Sequence, residues 1–290
     1  MMVRDVSAKG GGHDSGSART AAHGDGPTHA MILAAGFGTR LRPLTDTLPK
    51  PLVPVCERPL ISYAFAQLQP TAVQQVVVNV SYRAPQLEAY LQACHVPPPQ
   101  VHLSQEPQPL ETGGGIVQAL PHLGRNAFFV MNSDVICLEG SRAILPHLWS
   151  CWDDEEMDIL LLLVPLSHAM GYEGEGDFYC LPEGTLRRVT EGEAPGSGTS
   201  KQRSASRHDP YVFTGIQLMH PRALAQEVPG KFSLNRVYDR YLGSDEGASR
   251  MRGVVHDGMW LHVGDPAALA AAEAYLRRAD SALQHEVHEA

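Results

Sequence analysis

Four short apolar runs punctuate the first half of the chain: Ala30–Ala34 (AMILA), Val76–Val80 (VVVNV), Val101–Ser104 and Phe128–Met131 (FFVM). Their apolar residues follow one another with little of the alternation that marks a half-solvated strand, so each reads as a strand buried on both faces. Segments of helical pattern lie between them, at about Pro59–Leu68, Ala84–Cys94 and Gly115–Leu120. This strand–helix rhythm predicts a parallel sheet covered by helices. The second half adds apolar runs at Met157–Val164, Phe178–Leu181, Leu186–Thr190 and Val212–Met219, with hairpin-like spacing that predicts a mixed half-sheet. An Ala-rich stretch, Pro266–Leu283, starts on Pro and carries basic residues late, as a terminal helix does. The expected fold is therefore α/β, a three-layer α/β/α sandwich with a Rossmann-like N-terminal half and a mixed central sheet.

Two segments fall outside this pattern. Residues 1–29 are rich in Gly, Ser, Ala, His and Asp without periodicity, the composition of a disordered tail. Met31, directly before the first run, is a plausible alternative start. Gly196–Asp209 (GSGTSKQRSASRHD) is polar and locally basic, and reads as a solvated loop or as a mobile flap over a phosphate.

Composition narrows the class. With 43% hydrophobic residues in 290, the chain has material for a large core. The formal net charge of −9 disfavours a nucleic-acid partner. The five cysteines are scattered without a CxxC pair, which fits reduced thiols rather than a disulfide frame or zinc knuckle. No apolar run approaches the roughly 20 residues of a membrane span, and the N-terminus lacks a secretory apolar core. A cytoplasmic protein acting on small molecules, as a monomer or small homo-oligomer, is the expectation.

Chemistry concentrates after the first strand, in Ala34-Ala35-Gly36-Phe37-Gly38-Thr39-Arg40-Leu41-Arg42-Pro43-Leu44-Thr45. Glycines at the carboxyl end of a first parallel strand let backbone N–H groups approach a phosphate. The third Gly of a dinucleotide fingerprint is missing at Leu41, and no Gly-Lys-Ser/Thr of a P-loop is present. Instead Arg40 is followed by Leu48-Pro49-Lys50-Pro51-Leu52-Val53-Pro54-Val55, where prolines stiffen the segment bearing Lys50. Two fixed cations after an amide cradle suit a triphosphate meeting a second phosphate.

LAAGFGTRLRPLT followed by LPKPLVPV resembles the signature of the sugar-1-phosphate nucleotidylyltransferases, and the resemblance covers nearly all of residues 30–290. It implies a nucleotide-binding half over 30–150, a sugar-binding half over 151–265 and a terminal helix over 266–290. It also implies a nucleoside triphosphate and a sugar 1-phosphate as substrates and Mg²⁺ as cofactor. Arg40 and Lys50 become the catalytic cations, with Ala34, Ala35, Gly36, Gly38 and Thr39 around the nucleotide. Asn79, at the end of the second strand, points into the same crevice. Leu110-Glu111-Thr112-Gly113-Gly114-Gly115 resembles the N-acetylmuramate-1-phosphate uridylyltransferase branch and places Glu111, Thr112 and Gly113 near the base, which favours UTP. Glu106 falls where relatives read the base edge. Asp134, closing FFVMNSD, is the implied Mg²⁺ ligand.

The chain departs from the pattern near its end. Where the family has Trp-x-Asp-x-Gly-Thr it reads Trp260-Leu261-His262-Val263-Gly264-Asp265. His262 is then a metal ligand, a phosphate contact or a packed ring. On the sugar side, Asp177 of Gly174-Glu175-Gly176-Asp177-Phe178 matches the muramate branch. Glu191 falls in a Val-x-Glu-Lys position without its Lys, and Asn235 lies after Phe232-Ser233-Leu234. The resemblance also admits a mannose-1-phosphate guanylyltransferase or heptose-1-phosphate relative. A different class, a non-catalytic nucleotide-sugar sensor, draws on His262.

Overall fold

A computed structural model describes residues 26–93, 99–190 and 209–289, with side chains to residue 279. Most of the N-terminal tail, Cys94, Glu191 and all of the Gly196–Asp209 loop but its last residue lie outside the described residues.

Along the chain, β1 (His29–Leu33) leads through the glycine-rich loop to a small hairpin, β2 (Pro54–Val55) and β3 (Arg58–Pro59), and then to α1 (Leu60–Leu68). β4 (Gln75–Val80), α2 (Ala84–Ala93), β5 (Gln100–Gln105), α3 (Glu111–Ala119) and β6 (Phe128–Asn132) complete the Rossmann-like half. β5, β4, β1 and β6 lie side by side, all parallel. Short β7 (Val135–Cys137) and α4 (Ile144–Ser150) lead into the second half.

There, β8 (Ile159–Pro165), β9 (Ala169–Met170), β10 (Phe178–Cys180), β11 (Leu186–Arg188) and β12 (Tyr211–Met219) come before any helix of more than one turn. α5 (Asn235–Leu242), α6 (Asp245–Arg250), β13 (Met251–Val255), β14 (Trp260–His262) and α7 (Pro266–Glu289) follow. β12 runs antiparallel between β6 and β8, pairing Ile216 with Met131 and Leu218 with Leu160. β13 then adds to β8 in parallel. The expected second half-sheet is thus the continuation of the first, welded by β12 into one nine-stranded sheet.

Burial on both sides explains the unbroken apolar runs of β1, β4 and β6, whereas β5 is the edge strand of the sheet and leaves Val101 exposed, against the expectation for that run. Ile32, Val76, Val78, Phe129 and Met131 face a core shared with α1, α2 and α4. Met31, Val77, Phe128, Val130 and Leu161 face another shared with α3 and α5. A third, smaller core packs Leu41, Val53, Val55 and Leu60 against Leu261 of β14, Val263 just beyond it and Leu276 of α7. It fixes the segment carrying Arg40 and Lys50 against the end of the chain.

α3 begins at Glu111, earlier than the helical pattern shows. Three successive glycines argue against a helix by propensity; packing overrides that argument here. A Cβ on Gly113 would stand 2.2 Å from the Phe232 ring, and one on Gly114 would stand 2.1 Å from the Gly230 carbonyl.

Candidate active site

The carboxyl ends of β1, β4 and β6 open onto a cleft of about 200 Å³. Ala34, Ala35 and Gly36 form one wall, Lys50 and Pro51 another, and Asn132, Ser133 and Asp134 a third, with Pro109, Glu111 and Thr112 at the rim. A larger hollow of about 440 Å³, walled by Phe65, Leu91, Val101 and Leu103 among others, contains neither the glycine loop nor these charged groups.

Each side of the cleft is held by bonds within the protein. The Ala34 N–H donates to Asn79 Oδ1 at 2.7 Å, and Asn79 Nδ2 donates to Glu106 Oε1 at 2.8 Å. Glu106 Oε2 accepts from the Leu110 N–H at 2.8 Å. Glu106 is buried, with both oxygens committed, so it ties the turn at Leu110 to β4 and does not line the cleft. Ser133, which the motif reading passed over, locks β6 to β1 by donating from Oγ to the Leu33 carbonyl at 2.7 Å. Its position beside the strand-end aspartate is the sequence signal that marks it.

Gly38 adopts a left-handed conformation with φ 63°, and a Cβ there would stand 2.9 Å from Lys50 Cβ. Only glycine lets the Lys50 segment press this closely on the loop. Thr39 and Arg40 follow in a short 3₁₀ turn, exposed, while Leu41 anchors the turn in the third core. Lys50 is 9% exposed and extends Nζ to Asp134 Oδ2 at 2.7 Å. Burial alone raises the Asp134 pKa; the Lys50 cation, its hydrogen bond and the nearby His262 outweigh burial and leave the carboxyl below its ordinary value. The two side chains come from loops 84 residues apart.

His262 lies opposite Val135 in the β14–β7 ladder, and the Val263 N–H donates to the Asp134 carbonyl at 3.2 Å. Its ring stacks on Trp260 with centroids 5.5 Å apart and planes 13° from parallel. Burial is the main reason its pKa falls below the usual histidine value; Asp134 pulls the other way, and Lys50 and Arg40 deepen the depression. The position therefore favours a neutral imidazole over a phosphate-binding cation. Among the described residues no trio of His, Cys, Asp and Glu converges on a metal position. One ionised carboxylate at the cleft wall nonetheless suits Mg²⁺, which takes one or two carboxylates together with substrate oxygens. The nitrogen of His262 is the less fitting donor.

The other expected residues are engaged as follows. Glu111 has φ 62° and pairs with Lys231 at 3.6 Å; Thr112 Oγ1 accepts from the Leu234 N–H at 2.8 Å. The Gly113 N–H donates to the Phe232 carbonyl at 3.0 Å, so this glycine packs the Phe232 segment, and the cleft wall passes to Glu111 and Thr112. Asp177 accepts from Tyr172 Oη at 3.2 Å and from the Phe213 N–H at 2.8 Å, and burial raises its pKa. Asn235 Oδ1 accepts from Arg188 Nη2 at 2.9 Å. Asp177 and Asn235 do not line the cleft of Lys50 and Asp134.

The sequence profile of the nucleotidyl transferase family matches residues 29–172, the stretch that carries this glycine loop, Lys50 and Asp134. The chain is 38% identical over 256 residues to the N-acetylmuramate alpha-1-phosphate uridylyltransferase of Caulobacter vibrioides, covering 87% of this chain and 98% of that one. This chain belongs to the nucleotidyl transferase family. A second uridylyltransferase of the same name, from Neisseria meningitidis, is 33% identical over 84% of this nucleotidyltransferase and 96% of its own length. The mannose-1-phosphate guanyltransferase of Hypocrea jecorina is 44% identical, over 37% of this chain and 30% of its own. Among solved structures, UDP-glucose pyrophosphorylase complexed with UDP-glucose superimposes with a TM-score of 0.68 over 87% of this chain and 99% of its own, at 17% identity. HddC from Yersinia pseudotuberculosis, complexed with GMP-PN, gives 0.63 over 86% and 99%, at 21% identity. These likenesses show the fold.

The family read from LAAGFGTRLRPLT and the three-layer fold are thus both found. The nucleotidyltransferase is an enzyme of sugar-1-phosphate chemistry, in a family that works with divalent metal ions. No helix among the described residues is long and apolar enough to cross a membrane.

Proposed function

We propose that this nucleotidyltransferase joins UTP to N-acetylmuramate 1-phosphate, giving the UDP-sugar and pyrophosphate, in the cytoplasmic recycling of cell-wall sugar. The observation that carries the chemistry is the Lys50–Asp134 pair, 2.7 Å apart at the mouth of the glycine loop. The choice of base and sugar draws on the two uridylyltransferases that match over nearly their whole length.

A phosphate oxygen of the sugar 1-phosphate forms a bond to the α-phosphorus of UTP, and the bond from that phosphorus to the bridging oxygen of the departing pyrophosphate breaks. The attacking oxygen is already anionic, so the protein supplies alignment and charge neutralisation rather than a base. Lys50 holds the sugar phosphate against the α-phosphate. Arg40 and the amides of Gly36–Thr39 receive the charge that develops on pyrophosphate. Asp134 would hold Mg²⁺, which supplies further neutralisation between the two substrates' phosphates when bound. Glu111 and Thr112 border the base, with Gly113, Asn79 and Glu106 fixing that border from beneath. Residues 30–150 serve the nucleotide and 151–265 the sugar, through Asp177, Glu191 and Asn235, the first and last acting with Tyr172, Phe213 and Arg188.

Pyrophosphate release decides the matter, with UTP and GTP each crossed against N-acetylmuramate 1-phosphate, mannose 1-phosphate and glucose 1-phosphate in the presence of Mg²⁺. Release confined to UTP with the muramate sugar is the expected outcome. Release with GTP and mannose 1-phosphate instead would transfer the chain to the guanylyltransferase branch, whose similarity is confined to about a third of the chain.

A further inference from the structure

The glycine loop is long and polar, yet its far end is bonded by side chains of a single neighbouring element. Where β4 passes into α2, Tyr82 Oη donates to the Thr45 carbonyl at 3.0 Å and accepts from Arg83 Nε at 3.0 Å. Arg83 Nη2 donates to the Asp46 carbonyl, and Gln86 Nε2 to the Thr47 carbonyl at 3.1 Å. Three consecutive carbonyls of one turn are therefore taken by three side chains of one junction. An isolated surface turn leaves such carbonyls to water.

The constraint continues inward. Thr45 is 1% exposed, and its Oγ1 donates to the Gly38 carbonyl at 2.8 Å. Gly38 is the left-handed residue against which Lys50 packs. At the near end of the loop, Asn79 of the same β4 already holds the Ala34 N–H. One stretch of chain, residues 79–86, thus grips the loop at both ends. Two further observations fit a part under constraint. Arg83 is held at φ 55°, which a non-glycine residue keeps only where its surroundings impose it. The Phe37 ring, half exposed at the loop tip, lies 5.8 Å from the Tyr82 ring.

We infer that the β4–α2 junction is a clamp that sets the phosphate-binding geometry of the glycine loop, with Tyr82, Arg83 and Gln86 as positioning residues and Thr45 as the link to Gly38. The inference rests on the reading that this loop holds a triphosphate. The amides of Gly36–Thr39 are useful to an anion only when they point together, and the clamp holds them so before the nucleotide arrives. Its loss weakens the nucleotide, which the loop amides hold directly, more than the sugar phosphate, which the clamp reaches only through the packing of Lys50 on Gly38.

The test is calorimetric titration of the full chain with UTP, alongside thermal unfolding and the KM for each substrate. Thr45→Val keeps the shape and removes the hydroxyl, Thr45→Ser restores it, and Tyr82→Phe removes the other donor. Thr45→Val and Tyr82→Phe should each weaken UTP about fivefold to tenfold, the scale of one hydrogen bond. Thr45→Ser should stay within about twofold of wild type, since it keeps that bond. The KM for the sugar phosphate should change less than the UTP affinity does. Because the two donors act in series, the double variant should be little weaker than the worse single. Should Thr45→Val fail to fold, Gln86→Ala at an exposed position supplies the same reading, with a loss of about twofold to fivefold. Unchanged UTP binding in the variants, additive losses, or equal loss in the Ser and Val variants would overturn the clamp alone. A wild-type chain that binds no UTP would overturn the triphosphate reading, and the clamp with it.

Discussion

Two ion-paired carboxylates, one in each half of the molecule, are treated very differently by the fold. Asp134, at the carboxyl end of β6, is bonded by one side chain among the described residues, Lys50. Asp158, just before β8, is enclosed by Arg222, by Arg250 at 2.8 and 3.0 Å, and by the Tyr241 hydroxyl at 2.7 Å. Burial raises the Asp158 pKa, and the hydrogen bonds from Arg250, Arg222 and Tyr241 more than reverse it, down to about 2. Its side chain is 8% exposed and its hydrogen-bonding capacity is filled from within the protein. Asp134 is ionised too, yet keeps lone pairs for something that is not protein. A saturated carboxylate holds a fold together; an ionised carboxylate with spare capacity beside a fixed cation is available to a ligand.

The sharpest way to break this contrast is to remove each partner and ask which property falls. Asp158→Ala leaves two arginines without their shared anion and should cost about 3–5 kcal/mol of stability, read by denaturant unfolding, as for a broken buried pair. The turnover of the fraction that remains folded should match wild type. Lys50→Ala should do the reverse: kcat down by about 10²–10³, the scale of one fixed electrostatic group, with a thermal midpoint near that of wild type. Wild-type turnover in Lys50→Ala would sink the catalytic assignment.

Acid offers a milder probe. Because the folded pKa of Asp158 is depressed from 3.8 to about 2, the stability it confers is complete above the ordinary carboxylate range. It is lost as pH falls from about 4 through about 2, by about 2 kcal/mol in all. Stability curves of wild type and Asp158→Asn should therefore converge in that window; parallel curves would contradict the depressed value. The smallest effect belongs to Gly38→Ala. Its left-handed φ and the 2.9 Å approach to Lys50 Cβ predict a loss of about 1–2 kcal/mol. A raised KM for the nucleotide should accompany it.

β1, β4 and β6 are legible because they are buried on both faces and so announce themselves as apolar runs; β5, at the sheet edge, shows only a short, mixed run. β13 and β14 are not legible: Arg252 and Gly253 interrupt the first, and the second has three residues. α5 is short and has no apolar run to announce it: Val237, Tyr238 and Tyr241 share its buried side, but Asn235, Arg236, Asp239 and Arg240 make up half of NRVYDRYL. In the site, Lys50 and Asp134 were readable as motif members, but their 2.7 Å contact is a property of the folded chain. Glu106 and Gly113 were read as facing the base because a motif records position and not direction; each is spent on holding a neighbour. The Asp158 cluster left no trace, since its arginines stand 64 and 92 residues away along the chain.

The antiparallel strand β12 has a consequence for the birth of the protein. β6 leaves the ribosome long before β12, its neighbour on one side, so one edge of the nascent sheet stays bare while the chain between them is made. At about 5–20 residues per second, a separation of roughly 80 residues keeps that edge open for about 4–16 s. Phe128–Asn132 is almost wholly apolar, the kind of strand that pairs with the wrong chain when left open. The parallel half therefore relies on β12 to cover that edge, and truncation before residue 216 leaves it bare.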